Sequence, residues 1–440
     1  MATNDTIEAQ PDPDQMKRAR KAATGAFVGT ALEFYDFYIY ATASALVFGT
    51  VFFPKNDNAF IGTMAAFAIF GVGFLARPLG AIVIGHIGDT VGRKKALLLS
   101  LMTMGVATFA IGFIPSYDTI GIAAPIILVC LRLIQGFAIG GEWGGAALIS
   151  VESAPGRKVN FFGAFTQMGS PAGTVMSSGM FALVGLGGHE VLESWAWRIP
   201  FWFAGVLVIV GLILRLRLEE SPVFKRAVEQ QQAKKLPVLE IFKKEWKAIL
   251  AGVLLVAHGV GGFYVTGTLF LSFATQGEGL ESSALLTGQT IAAASSFISF
   301  PIIAAFADKI GSRTIMIVSA VLVIIFAVPH FLVVYTGNYV LISLMLIATQ
   351  TIGAGAWVCI PALLGRAFDP KTRYTGVSLS YQIASILFGG LLPMGGAALL
   401  AATGGDVIGP VAILAGLAIL VIIGAIITHN IVKEREENVA

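Results

Sequence analysis

Twelve mostly apolar stretches alternate with short polar joints along the 440 residues of this chain. They run over 24–50, 60–86, 94–114, 121–148, 159–186, 197–216, 247–275, 284–307, 314–335, 338–363, 374–401 and 408–431. Each is near the length of about 20 residues that a helix needs to cross a bilayer. One polar joint recurs half a chain later. From Gly85 the sequence reads G-H-I-G-D-T-V-G-R-K, and from Ala304 it reads A-A-F-A-D-K-I-G-S-R. Each copy ends one apolar stretch and precedes the next. A joint repeated at this spacing predicts two copies of one six-span unit. The expected fold is all-α, with twelve transmembrane helices in two six-helix bundles related by pseudo-two-fold symmetry. The expected division is a tail over 1–21, a first bundle over 22–217, a linker over 218–246, a second bundle over 247–432 and a tail over 433–440.

Charge sharpens this reading. Only 12% of residues are charged, about half the share in a soluble domain. With an even number of spans both termini share one side. Of the 29 Lys and Arg, all but Lys55, Arg77, Arg132 and Arg198 fall on that side or at its boundary. Such asymmetry places both termini in the cytoplasm, and the expected location is the bacterial inner membrane. The net charge of +3 then reports topology, and no nucleic-acid partner is expected. Residues 1–16 are polar and acidic, and Glu33 and Asp36 interrupt the first apolar stretch. The leader is expected to be disordered, without a cleavable signal. Cys130 and Cys359 lie inside spans, where packing is their default role.

Ionisable residues deep in a span are costly and mark function by default. Glu33, Asp36, Arg77 and Arg132 stand out. Glu33 and Asp36 are three apart on one helix face, in E-F-Y-D-F-Y-I-Y with Tyr35 and Tyr38. Arg132 lies about 16 Å into the fourth span, and a buried Arg needs a counter-charge. A carboxylate of the first span is the expected partner. A proton could then bind or leave that carboxylate, Asp36 or Glu33, according to whether Arg132 faces it or a substrate. The plainer alternative is a static pair that only ties two helices. Arg77, before Pro78, is either a cavity ligand or a partner for Glu33. The polar residues expected on the substrate wall are Gln135, Gln167, His258, Tyr264, Gln350, Trp357, Tyr381 and Gln382, with Arg77, Tyr35 and Tyr38. A lone His such as His258, or an aromatic such as Trp357 or Tyr381, can equally be a packing residue.

The joints have their own chemistry. Asp89 can cap a helix end, and Arg93 can bridge to a neighbouring helix. Gly85 and Gly92 allow close approach and a sharp turn. With Glu152, Arg157, Asp308 and Arg313 they form the expected cytoplasmic gate, a cluster holding one side closed. The alternative is a charged topological anchor. No cofactor and no metal is expected: H-E-x-x-H is absent and the five histidines are scattered, which also argues against an intramembrane enzyme.

These residues resemble the major facilitator superfamily. The joint from Gly85 is similar to that family's motif after the second span, and R-L-I-Q-G-F-A-I-G from Arg132 to its fourth-span motif. The match narrows to the metabolite:proton symporters through G-T-A-L-E-F-Y-D-F-Y-I-Y from Gly29, F-L-A-R-P-L-G from Phe74, Q-G-F-A-I-G-G-E-W-G-G-A-A-L from Gln135, V-E-S-A-P from Val151, W-R-I-P-F from Trp197, E-S-P-V-F from Glu220, R-Y-T-G-V-S-L-S-Y-Q-I-A-S from Arg373 and F-G-G-L-L-P from Phe388. The resemblance implies a central cavity, alternating access and proton coupling through Asp36 and Arg132. The implied partners are protons, membrane lipid and a small carboxylate, shikimate-like or another organic acid, carried by a monomer. Proline or betaine is the implied alternative. Two departures are present. Relatives often carry Glu after the tenth span in a P-E-x-F-P context, where this chain has Arg366 in G-R-A-F-D-P. The second joint has Ala304 for Gly and Ser312 before Arg313. The tail after Ile431 is too short for a coiled coil, which disfavours an osmosensing role.

Overall fold

Twelve helical passes follow one another, as the apolar pattern requires. The structure is a computed structural model and describes residues 13–54, 59–140, 142–185, 189–216, 243–274, 278–370, 372–392, 396, 399 and 406–437. The first pass is Pro13–Ala43, carried on by a π-helical turn at Ser44–Phe48. The second and third are Ala59–Thr90 and Arg93–Ile111. The fourth is two helices, Ala123–Ile139 and Glu142–Glu152, and the fifth is Val159–Gln167 followed by Gly169–Gly185. Arg198–Leu216 is the sixth. Trp246–Phe263 with its π-helical extension Tyr264–Leu269, Ser282–Ile310 and Ser312–Leu332 are the seventh to ninth. The tenth is Tyr339–Val358 and Ile360–Ala367, the eleventh Arg373–Ala384 with Ser385–Leu391, and the twelfth Ile408–Glu437.

The ends differ from the expectation. Pro13 opens the first helix, where its missing N–H costs nothing, so 13–21 are helical where a tail was expected. The last helix likewise runs to Glu437. Residues 218–242 of the expected linker lie outside the described residues.

Among the described residues, nine stretches are long and apolar enough to cross a membrane. The first, fifth and eleventh passes are not among these. They carry rows of buried polar side chains instead: Thr30, Glu33 and Asp36; Asn160, Thr166 and Gln167; Thr375, Ser378, Ser380, Gln382 and Ser385. Polar groups inside a bilayer belong on the protein interior. Exposed Leu75, Val106, Ile209, Ile298 and Val340 are instead the side chains that hydrocarbon tolerates.

Between the halves, the second pass packs on the eleventh and the eighth on the fifth. These two contacts are equivalent under the pseudo-two-fold. Within the first half, the second pass packs tightly on the fourth. A Cβ on Gly136 would collide with the Gly73 carbonyl. Gly136→Ala should therefore lower stability by about 1–3 kcal/mol, the usual effect of overpacking, and Gly136→Leu should abolish the monodisperse folded peak in size-exclusion chromatography. A leucine variant with wild-type melting behaviour would mean this contact is slack.

Candidate functional site: a central cavity above a closed polar joint

A cavity of about 270 Å³ lies between the two bundles. The first half contributes Glu33, Phe34, Phe37, Tyr38, Phe74 and Arg77, with Ser170 and Thr174 from the fifth pass. The second half contributes His258, Tyr264, Gln289, Thr349, Gln350, Trp357, Tyr381 and Ser385. The first wall therefore holds one carboxylate and one guanidinium among aromatics. The facing wall is hydroxyl, amide and imidazole. Arg77 stacks on Phe74, 4.3 Å from the ring centroid, and lies 5.4 Å from that of Phe37, a setting that holds a cation partly desolvated. Tyr38 and Ser170 hydroxyls are 3.3 Å apart. The Gln350 amide donates to Ser296 Oγ at 3.3 Å.

Asp36 and Arg132 form a second, sealed cluster behind this wall. Asp36 Oδ1 accepts from the Thr108 hydroxyl and from Gln135 Nε2 at 2.8 Å. Arg132 Nη1 lies 3.9 Å from Asp36 Oδ2 and donates to Gln135 Oε1 at 3.2 Å. Its guanidinium sits 4.3 Å from the Tyr40 ring and 4.7 Å from that of Phe70. Phe70 packs on Phe37 and Phe74, at 4.6 and 5.7 Å between centroids. A layer of aromatic rings thus stands between Arg132 and the cavity. The expected swing of Arg132 towards a substrate meets this layer, and the cation in the cavity is Arg77.

Of the residues expected on the substrate wall, Arg77, Tyr38, His258, Tyr264, Gln350, Trp357 and Tyr381 line the cavity. Tyr35, Gln135, Gln167 and Gln382 do not. Tyr35 turns away by helix rotation, and its hydroxyl donates to the Pro200 carbonyl at 3.0 Å. Gln135 belongs to the Asp36 cluster. Gln167 and Gln382 form a clasp across the bundles. Trp143 Nε1 donates to Gln167 Oε1 at 2.9 Å, and Gln167 Nε2 donates to the Trp357 carbonyl at 2.8 Å. Gln382 Nε2 donates to the Gly140 carbonyl at 3.2 Å, where the fourth pass is interrupted. Trp143 stacks on Tyr381 at 4.1 Å, with ring planes 11° apart.

The two joints close the other end of this clasp by reciprocal capping. Asp89 accepts from the Tyr374 and Thr375 backbone N–H groups at 3.1 and 2.9 Å and from the Thr375 hydroxyl at 2.7 Å. It thereby caps the eleventh pass, in the opposite half. Asp308 accepts from the Asn160 and Phe161 N–H groups at 2.8 and 2.9 Å and from Asn160 Nδ2 at 3.0 Å. It caps the fifth pass, again across the halves. Carboxylates are favoured at helix N-termini because they satisfy orphan N–H groups and meet the positive end of the dipole. Gly92 and Gly311 start the next helices with φ of 132° and 103°, a backbone state that favours glycine. A Cβ on Gly85 would crowd Thr375. Glu152 pairs with Arg93 and, at 3.1 Å, with Arg373 of the eleventh pass. Ser312 donates to Asn160 Oδ1 at 2.9 Å. Arg157 is exposed, while Arg313, half-buried, is in none of the ion pairs found among the described residues.

Several residues of these clusters carry no signal in the sequence. Thr108, Thr174, Thr349 and Ser385 look like ordinary span residues. The buried Glu142–Arg215 pair, to which the Leu97 carbonyl adds an acceptor at 2.7 Å, was hidden differently. Glu142 follows the glycines of G-G-E-W-G-G, and Arg215 sits beside the linker cations. Only depth at a span end signals it.

Comparison with known proteins agrees with this architecture. Residues 26–389 match the family model of the Major Facilitator Superfamily. The shikimate transporter of Escherichia coli (strain K12) is 40% identical over 400 residues, covering 90% of this chain and 91% of that one. The inner membrane metabolite transport protein YhjE of the same strain is 37% identical over 435 residues, 98% of each chain. The solved structure of the proton:xylose symporter XylE has the same fold, with a TM-score of 0.73 at 15% identity over 93% of this chain and 95% of that one. This chain belongs to the major facilitator superfamily and is a multi-pass membrane protein, a secondary transporter of metabolites rather than an enzyme.

Proposed function

We propose that this chain is a proton-coupled symporter that brings a small organic acid, shikimate-like or another carboxylate, into the cell by alternating access. The observation that carries the reading is the cavity wall. Arg77 is the guanidinium among its lining residues, Glu33 lies on the same wall, and hydroxyl and amide groups face them from the other half. One guanidinium suits one carboxylate, and the opposite wall suits hydroxyls. The likeness to the shikimate transporter supports the same class. The Asp36–Arg132 cluster is the proton-coupling element, since a carboxylate's proton affinity depends on its counter-charge. The side bearing the joints is cytoplasmic, as the distribution of Lys and Arg supports. The state described is then closed inside, and Asp89, Asp308, Arg93 and Glu152 act as the inner gate.

A second reading is favoured by Glu33 standing beside Arg77: opposite charges on one wall also suit a zwitterion such as proline or betaine. The test is accumulation of labelled shikimate into proteoliposomes under an inward proton gradient. Uptake above equilibrium that an uncoupler collapses supports the first reading. Uptake of proline or betaine with no uptake of any carboxylate replaces it with the second. On the first reading Arg77→Gln raises KM for shikimate by about 10- to 100-fold, the loss expected for a charge-assisted contact. An unchanged KM would remove Arg77 from the substrate.

A further inference from the structure

The sealed Asp36–Arg132 cluster poses a problem of access. A proton on Asp36 must come from, and return to, water that reaches the cavity. Asp36 does not line that cavity. Its neighbours are Thr108, Gln135 and Arg132. The rings of Phe37, Phe70 and Phe74 pack against each other in front of Arg132. Phenyl rings carry no exchangeable proton, so the layer is a barrier to transfer.

Glu33 bypasses it. It lies three residues before Asp36 on the same helix, so their Cβ atoms are about 5–6 Å apart. Glu33 lines the cavity while remaining only 4% exposed. Glu33 Oε2 and Asp36 Oδ2 are both buried, and neither has a hydrogen-bond partner among the described residues. One side of this pair therefore meets the cavity and the other meets Arg132. The charges acting on Glu33 are Arg77 of the second pass, Arg215 of the sixth and Asp36 itself, with the Tyr381 hydroxyl facing from the eleventh.

Resting on the symport reading above, we propose that Glu33 is the relay that passes protons between the cavity and Asp36. Glu33 takes a proton from cavity water, hands it to the Asp36 carboxylate and returns to its own ionised form. Release runs in reverse. Arg77, a cation on the same wall, attracts the ionised form of Glu33 and is shared with the substrate carboxylate. Arriving substrate therefore weakens the grip of Arg77 on Glu33 and favours its protonation, which links substrate entry to proton entry.

A relay alters how fast protons arrive, whereas the coupling site sets how far substrate accumulates. This difference gives the test, with labelled shikimate in proteoliposomes. In Glu33→Gln the initial rate of proton-driven uptake should fall at least about tenfold. The final accumulation ratio should stay at the wild-type value, and the rate should fall much more for gradient-driven uptake than for counterflow at equal pH. Glu33→Asp, which keeps the acid, should restore much of the rate. A Glu33→Gln rate equal to wild type overturns the relay. So does loss of the final ratio, which would make Glu33 the coupling site itself, or an equal loss of counterflow, which would make it a substrate ligand. Wild-type protein that takes up shikimate without responding to the gradient sinks the symport reading and the relay together. A second measurement needs neither substrate nor variant. A carbodiimide applied to wild-type protein should modify Glu33 and spare Asp36, as mapped by mass spectrometry. Modification of Asp36 with Glu33 untouched would show that water reaches Asp36 by another path.

Discussion

Asp36→Asn should take uphill accumulation down to equilibration while exchange of substrate across the membrane continues. The amide keeps the shape of the carboxylate and can still accept from Thr108 and Gln135, the two donors on Oδ1. It cannot bind and release the coupled proton. It also leaves Arg132 buried beside a neutral group, and breaking a buried pair costs about 3–5 kcal/mol. Reduced thermal stability is therefore expected alongside the uncoupling. The double variant Asp36→Asn with Arg132→Gln should recover the stability without recovering accumulation. Assays of gradient-driven uptake, counterflow and thermal melting separate the two effects. Full gradient-driven accumulation by Asp36→Asn would leave the cluster as a strut between helices.

The second large effect is expected at the joint. Asp89→Ala removes three hydrogen bonds that tie the second pass to the start of the eleventh. Loss of a helix cap alone costs about 0.5–2 kcal/mol, and bonds to a charged acceptor are stronger. The balance between closed and open should shift at least about tenfold towards opening on the joint side. Asp308→Ala should act in the same direction through the fifth pass. Spin labels at exposed Lys95 and Lys309 would report this as a loss of the short-distance population. Identical distance distributions in both variants and wild type would show that the gate is held elsewhere, with the Gln167 and Gln382 clasp the next place to look.

Much of this molecule is legible from the order of its residues, and the main limit is of one kind. Apolar length gives the number and order of the passes, though not the ends of the first and last helices. Burial cost marks Arg132 as the partner of a first-span carboxylate, and the family resemblance selects Asp36. The recurrence of D-x-x-G identifies both capping aspartates. What sequence lacks is the azimuth of each helix about its axis. Glu33 and Asp36 share a helix face broadly, yet one meets the cavity and the other meets Arg132. Gln135 and Gln167 sit at the right depth for substrate contact, but face the Asp36 cluster and the opposing bundle. Asp89 is readable as a cap, but not as a cap on a helix nearly 300 residues away in sequence. Glu142 and Arg215 are opaque for a different reason: each partner is unremarkable alone.

The reciprocal caps also bear on how this barrier meets its chemical surroundings. Ionic strength acts on charges that water surrounds, and screening weakens sharply for buried groups. Asp89 and Arg93 are buried, and the Glu152 carboxylate is 4% exposed. Dissolved ions therefore have little purchase on the Asp89 cap and the Arg93–Glu152 pair, and more on Asp308, which is half-buried. On the Asp89 side this barrier holds through swings in salt, and yields to events in the cavity that its helices can feel.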